Sequence, residues 1–193
     1  MDFKSFILIN QVVVVIINLF GIFLGFLVYA ANKKGIVNRL FPLMTFLIIL
    51  WIDSAFLCQF FSQNETAVIL AKLGYMSAMV FFIPFYIFIK NFFDGHEKNK
   101  KIDEIIINAI GFLSLFFIFF SDFLVKDVKN TSWGNLPIMG SGSLVYFLLI
   151  FVLTLVIGFK LFVNFEKSSH QEKVKTQYFL LGLLVFLIAN IIF

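Results

Sequence analysis

The sequence predicts an all-α membrane protein: a polytopic bundle of six transmembrane helices that forms a single domain over residues 1–193, with its N-terminus outside. Three observations carry this prediction. Hydrophobic residues make up 61% of the chain and charged residues only 13%, and the mean hydropathy is +1.01, far from the balance of a soluble domain. The apolar residues fall into six long runs, and Lys and Arg gather in alternate breaks between those runs. The last observation also sets the orientation.

The first run covers residues 6–31, and at about 1.5 Å per residue it exceeds the roughly 30 Å thickness of the hydrocarbon layer. The preceding Met-Asp-Phe-Lys-Ser is a weak n-region, and the run is longer than the apolar part of a signal peptide. We therefore expect a retained helix. A basic corner from Lys33 to Arg39 follows, and the second run, residues 40–61, contains the carboxylate of Asp53.

A polar segment at residues 62–67 closes a hairpin to the third run, residues 68–93, in which Pro84 is expected to kink the helix. The remaining runs cover residues 105–123, 144–165 and 178–193. The break at 124–143 is rich in Gly and Ser and is predicted to be an exposed loop. The sixth run would extend about 24 Å as a helix, short of a full crossing, so we expect it to be truncated.

The Lys and Arg residues are distributed unequally between the two sides of the predicted bundle. Eleven of the 15 Lys and Arg residues fall on one side. They are Lys33, Lys34, Arg39, Lys90, Lys98, Lys100, Lys101, Lys160, Lys167, Lys173 and Lys175. Because cytoplasmic loops retain an excess of Lys and Arg, this side is predicted to be cytoplasmic and the N-terminus external.

Asp53 is the main polar residue within the runs. A free carboxylate at this depth costs a few kcal/mol, so we expect it to be neutral, paired or facing a wet cavity. One interpretation is a ligand or signal-coupling site; the other is a buried, hydrogen-bonded Asp that holds neighbouring helices in register. Lys72 begins the third helix near the same surface. Its flexible stem either reaches down towards Asp53 or extends outward to the interface.

The first helix carries Asn10, Asn18, Gly21 and Gly25 on one stripe, which should face another helix. Gly21 and Gly25 form a GxxxG motif, which allows close backbone approach either within the chain or across a dimer face. Polar groups also gather towards the outer half of the bundle, where an outward-opening pocket is predicted. The ligand-binding or signal-coupling candidates are Asp53, Lys72, Asn18, Gln59 and Trp51, and the helix-packing candidates are Gly21, Gly25 and Pro84.

Signatures of soluble-enzyme and nucleic-acid chemistry are lacking in the sequence. The single cysteine, Cys58, excludes an intrachain disulfide and the usual Cys/His metal spacings. The pair His96-Glu97 has no amphipathic helix pair around it. The lysines stand in short breaks and form no basic tract, so nucleic acid is not an expected partner. No catalytic residue, metal or cofactor is predicted.

Several landmarks resemble a known family. They are Asn38-Arg-Leu-Phe41 leading to Leu50-Trp51; Lys72-Leu-Gly-Tyr75 leading to Ile83-Pro84 and Phe88; and Lys175-Thr-Gln-Tyr-Phe-Leu-Leu-Gly182 with Asn190. Together they are similar to the N-terminal seven-transmembrane sensor region of bacterial membrane histidine kinases and diguanylate cyclases. The resemblance implies a bundle with an external N-terminus, usually dimeric, that receives a signal and passes it to a cytoplasmic output module. A seventh helix and that module would lie beyond residue 193.

Two functional alternatives follow. The first is a sensory input region in a bacterial plasma membrane, with the lipid bilayer, an unknown small-molecule or membrane signal and a second copy as its expected partners. The second is a small permease or transporter fragment with a substrate path past Asp53. Transporters often contain internal repeats and broken helices. The two halves of this sequence show no convincing repeat, which favours the first alternative.

Overall fold

The computed structural model describes residues 3–61, 64–92, 121–131 and 134–167, together with residues 108, 109, 111, 115, 118, 173, 174 and 177. The elements are α1 (Phe3–Ala31), α2 (Ile36–Phe60), α3 (Asn64–Phe92), β1 (Val125–Thr131), β2 (Gly134–Met139) and α4 (Ser143–Lys167). Each of the four helices contains a segment long and apolar enough to cross a membrane: Leu8–Ala31, Ile36–Phe60, Asn64–Phe92 and Ser143–Val163. The prediction of a mainly helical chain with membrane-spanning segments is thus confirmed.

Three predicted segments lie wholly or largely outside the described residues. The sixth run, residues 178–193, and the loop at residues 94–104 lie wholly outside them. The fourth run, residues 105–123, is described mainly at residues 108, 109, 111, 115 and 118, all of which are helical. Where the boundaries can be compared, α3 begins at Asn64 and so includes most of the polar segment predicted as a loop.

A tight turn joins α1 to α2. The Asn32 side-chain oxygen accepts hydrogen bonds from the backbone amides of Lys34 and Gly35, at 3.2 and 3.1 Å. The side-chain amide of Asn38 donates to the carbonyl oxygen of Val28 at 2.7 Å, near the C-terminal end of α1. These side chains partner backbone groups that helix ends leave without intrahelical bonds. The two helices therefore leave the turn as an antiparallel pair.

Proline occurs inside two of the helices. Pro84 is buried within α3, and the helix continues through it to Phe92. Pro42 lies inside α2, because this helix begins at Ile36, four residues earlier than the sequence indicated. Proline is tolerated most easily near the start of a helix, where the missing N–H has no intrahelical partner. Pro84 lies in the interior of α3, where a proline removes an intrahelical hydrogen bond, so packing against the surrounding core must stabilise the helix there.

The core lies around α3. At one end of the bundle, the hairpin-end cluster comprises Cys58, Ala67, Ala71, Met79, Ile118, Leu124, Val125, Val128, Tyr146 and Leu153. At the other, the turn-end cluster comprises Met44, Phe85, Tyr86, Phe88, Ile89, Ile157 and Leu161. Both clusters draw on α2, α3 and α4, and among the described residues neither includes a member from α1. Helix α1 packs mainly against α2 and is otherwise peripheral.

The prediction of an exposed loop at residues 124–143 is wrong in part, because β1 and β2 form an antiparallel hairpin that docks on α2 and α3. The same hairpin corrects the prediction of a strictly all-α fold. The register is irregular between Val125 and Asp127. Such a bulge resets the alternation of side chains. As a result Val125 and Val128, three residues apart, both face the core, at 0% and 4% exposure.

Candidate functional site

The most distinctive polar contact within the membrane-spanning segments joins α1 to α2. The side-chain amide of Asn18 donates a hydrogen bond of 2.7 Å to Oδ1 of Asp53. Both residues are half-buried. Asn18 lies near the middle of α1, and Asp53 lies about 10 Å from the Phe60 end of α2 at helical rise. The candidate site is therefore well inside the apolar part of both helices.

Small residues on α1 allow this pair to meet. A methyl group added at Gly21 would lie 3.1 Å from Thr45 and 3.2 Å from Ile49, and one added at Gly25 would lie 3.4 Å from Pro42. Such distances mean that the two backbones are close, as expected for a GxxxG motif. Close backbones bring the short side chains of Asn and Asp within hydrogen-bonding reach. Of the two roles considered for this motif, the geometry favours packing within the chain.

The pair leaves one polar atom unused. The side-chain oxygen of Asn18 is buried and accepts no hydrogen bond from the residues that the structure describes. A buried polar atom without a partner costs about 1–3 kcal/mol. The site therefore offers a free acceptor beside a carboxylate, and a water molecule or a ligand with N–H or O–H donors would satisfy it.

Lys72 does not join this pair. Its ammonium group lies 3.2 Å from Oδ1 of Asp122, next to the base of the β-hairpin. The Lys72 side chain is 12% exposed and that of Asp122 is 74% exposed. The lysine thus extends outward to the hairpin end and not down towards Asp53. An ion pair with so exposed a partner contributes little to stability.

Trp51 and Gln59 also lie on other surfaces of α2. Trp51 packs beside Gly74 of α3, where an added methyl group would lie 3.6 Å from the indole. Gln59 lies beneath the hairpin, and its backbone carbonyl oxygen is 2.7 Å from the position that a methyl group at Gly134 would occupy. Gly134 has φ of +108°, which side-chain-bearing residues rarely adopt. Of the five predicted ligand-binding or signal-coupling residues, Asn18 and Asp53 are the two that contact each other, and the other three lie elsewhere.

Sequence reasoning missed a polar contact that fixes the hairpin. Asn135 is 2% exposed. Its side-chain amide donates to the carbonyl oxygens of Cys58, at 3.1 Å, and Phe61. These carbonyls belong to the end of α2, where backbone acceptors lack intrahelical partners. An Asn in an apparent loop carries no signal of this role, since its partners are 74 and 77 positions away.

Contacts made by three tyrosines connect α3 to α4 and were likewise not predicted. The Tyr146 hydroxyl donates to the backbone carbonyl of Tyr75 at 2.8 Å, and the two rings meet edge to face with centroids 5.6 Å apart. Towards the other end, the Lys160 ammonium group bonds to the hydroxyl of Tyr86 and lies 4.4 Å from the centre of its ring. Helix α4 is thus held to α3 by polar contacts towards both ends. Among the described residues, α1 is held to α2 by the Asn18–Asp53 bond near the middle of the span and by the Asn38–Val28 bond next to the turn.

Within the described part of the chain, no three His, Cys, Asp or Glu side chains come close enough to hold a metal ion. No protein-family model, curated protein or solved structure matches the sequence.

Proposed function

We propose that this chain is the membrane-embedded sensory input region of a bacterial signal-transduction receptor of the histidine kinase or diguanylate cyclase type. In this proposal the chain is non-catalytic, and a small-molecule or membrane signal acts by changing the position of α1 relative to α2. The observation that carries the proposal is the Asn18–Asp53 hydrogen bond. It joins α2, which contributes residues to both core clusters, to α1, which contributes none of their described members.

The peripheral position of α1 supports this mechanism. A shift of α1 along α2 would disturb the polar pair and the contacts of Gly21 and Gly25, while leaving the contacts of α3 with α4 in place. Helix shifts of about 1–2 Å are a common way to carry a signal between sites. A ligand shifts such an equilibrium only by its difference in affinity for the two arrangements, and a coupling of about 1–3 kcal/mol gives a change of about 5- to 150-fold.

The proposed orientation follows from charge. Lys33, Lys34 and Arg39 stand at the α1–α2 turn, and α2 ends at the opposite side of the bundle, beneath the hairpin. The positive-inside rule assigns the turn to the cytoplasm. The N-terminus and the hairpin are then external, six helices span the bacterial plasma membrane, and the output module follows residue 193 as the family resemblance implies.

The test uses the protein as its gene encodes it, with any coding sequence after residue 193 included. Membranes containing the wild-type protein, Asp53→Asn, Asp53→Leu and Asn18→Leu are assayed for autophosphorylation and for cyclic dinucleotide synthesis. We expect Asp53→Asn to retain more of the wild-type output than Asp53→Leu, because an amide still accepts a hydrogen bond from Asn18. A matched control is Thr154→Val, since among the described residues the Thr154 hydroxyl bonds only to the carbonyl oxygen of Ile150 in its own helix.

Wild-type output from Asp53→Asn, Asp53→Leu and Asn18→Leu alike would remove the polar pair from signalling. Downstream sequence without a kinase or cyclase module would contradict the sensor assignment itself. Solute uptake by the chain in liposomes, abolished by Asp53→Leu, would instead support the transporter alternative.

A further inference from the structure

An apolar groove runs between α1 and α2 on the surface of the bundle. Its volume is about 190 Å³, and its floor is formed by Gly21 and Gly25 of α1 and by Pro42 of α2. The absence of side chains at the two glycines creates the depression. At helical rise the floor begins about 9 Å from the α1–α2 turn and continues towards the middle of the span.

The rim of the groove is apolar and open to the surroundings. Ile22, Phe26 and Phe46 stand along it with exposures of 61%, 66% and 58%. All three lie within segments that are long and apolar enough to cross a membrane. When these segments span a membrane, the medium around the groove is hydrocarbon, and an occupant must be apolar over the length of the groove.

Three cations lie at the end of this groove nearest the turn. Lys33, Lys34 and Arg39 are exposed, and none of them forms an ion pair with a carboxylate among the described residues. The Arg39 Nε donates to the backbone carbonyl of Lys33 at 2.8 Å, which holds the guanidinium group against the turn. A guanidinium has five N–H donors, so the remaining ones are available to an anion.

We propose that the groove and the turn together form a binding site for an anionic phospholipid, with the phosphate at Lys33, Lys34 and Arg39 and one acyl chain over Gly25 and Gly21. The charges of the site complement those of such a lipid in the correct order along the membrane normal: cations lie at the level of the headgroups, and the apolar depression lies at the level of the acyl chain. Basic pockets at the ends of membrane helices bind anionic headgroups in this way. The site is independent of the proposed sensory function.

A second copy of the chain is a less suitable occupant. It would have to bring carboxylates to the three cations, but the one acidic side chain in α1 and α2 among residues 3–60 is Asp53. Asp53 faces Asn18 and lies about 25 Å from the turn at helical rise. A symmetric pairing of these grooves would therefore place like charges together.

The test uses nanodiscs of phosphatidylcholine that contain a small fraction of a phospholipid with a photoreactive acyl chain. The probe is either phosphatidylglycerol or phosphatidylcholine, and mass spectrometry maps the adducts. We expect the phosphatidylglycerol probe to label Ile22, Phe26 and Phe46 more strongly than the phosphatidylcholine probe. Labelling should fall about fivefold for each charge removed in Lys33→Gln, Lys34→Gln and Arg39→Gln.

Two matched controls accompany these variants. Lys126→Gln with Lys129→Gln removes two exposed cations from the hairpin at the opposite end, and it should leave labelling of the groove unchanged. Gly25→Ala raises the floor and should reduce labelling, whereas Gly158→Ala adds a methyl group with nothing within 4 Å and should not.

Equal labelling by the two probes would overturn the proposal, as would unchanged labelling in the variant that lacks all three cations. Adducts spread evenly over the exposed faces of α1 and α4 would also overturn it. Crosslinks between rim residues of two chains, without lipid adducts in the groove, would assign this surface to a dimer.

Discussion

Asn135 in β2 donates its side-chain amide to the carbonyl oxygen of Cys58 in the last turn of α2, across a distance of 3.1 Å. The same amide also reaches the carbonyl oxygen of Phe61. One side chain of the hairpin therefore partners two acceptors at the end of a membrane helix. This explains why a short two-stranded sheet, marginal by itself, stays ordered on the bundle.

Asn135→Ala should lower the free energy of unfolding by about 1–3 kcal/mol, because two carbonyl groups lose their buried donor. Asn135→Asp should be at least as costly, since an ionised carboxylate accepts hydrogen bonds and cannot donate them. The control is Asn130→Ala, which removes an exposed Asn directly opposite Asn135 in the hairpin register. Unfolding is followed by circular dichroism in detergent. Equal losses for Asn130→Ala and Asn135→Ala would refute the capping role.

The Asn18–Asp53 pair should behave as a coupled unit in a double-mutant cycle. Asn18→Leu and Asp53→Leu each leave the other polar group without its partner, with an expected cost of about 1–3 kcal/mol. The double variant removes both groups and should cost less than the sum by about 0.5–3 kcal/mol. Unfolding by sodium dodecyl sulfate in bicelles gives these values. Strict additivity would mean that the hydrogen bond makes no net contribution.

The glycines of α1 should differ in their tolerance of a methyl group. Gly21→Ala forces Thr45 and Ile49 to move, because the new atom lies 3.1–3.2 Å from them, while Gly25→Ala comes to 3.4 Å from Pro42. We expect Gly21→Ala to be the more destabilising of the two. Gly158→Ala meets no neighbour and should gain up to about 1 kcal/mol from helix propensity. The reverse ranking in a thermal unfolding series would contradict the packing of α1 against α2.

Topology is tested with Ser141→Cys and Lys34→Cys in a Cys58→Ser background, where the only native thiol is removed. Both positions are exposed, and they lie at opposite ends of the bundle. An impermeant maleimide should label the Ser141→Cys variant in intact cells and the Lys34→Cys variant only after permeabilisation. Labelling of Lys34→Cys alone in intact cells would reverse the orientation.

The helices were predictable because long apolar runs are a strong signal that few other structures produce. The polar contact of Asp53 with a neighbouring helix was also within reach, because a carboxyl group in hydrocarbon needs a partner. The identity of that partner was not predicted: Asn18 was expected to face another helix, on one stripe with Gly21 and Gly25, but it was not paired with Asp53.

The hairpin was not predictable from the periodicity of apolar residues along the sequence. Val125 and Val128 are three residues apart, a spacing that fits neither the alternation of a regular strand nor a sustained helical repeat. The bulge that brings both to the core is a property of the folded pairing. The partner of Lys72 depended on the same unpredicted segment, because Asp122 lies at the base of the hairpin and takes the lysine away from Asp53.

The peripheral attachment of α1 also has a consequence for biogenesis. Helices α1 and α2 are synthesised before α3, so all the residues of their turn, their polar pair and their glycine contacts are present in the nascent chain before α3 has left the ribosome. Membrane helices can insert as stable units and associate afterwards. Helix α3 would then assemble against a preformed helical hairpin, in which Asp53 has already gained Asn18 as its partner by association of α2 with α1.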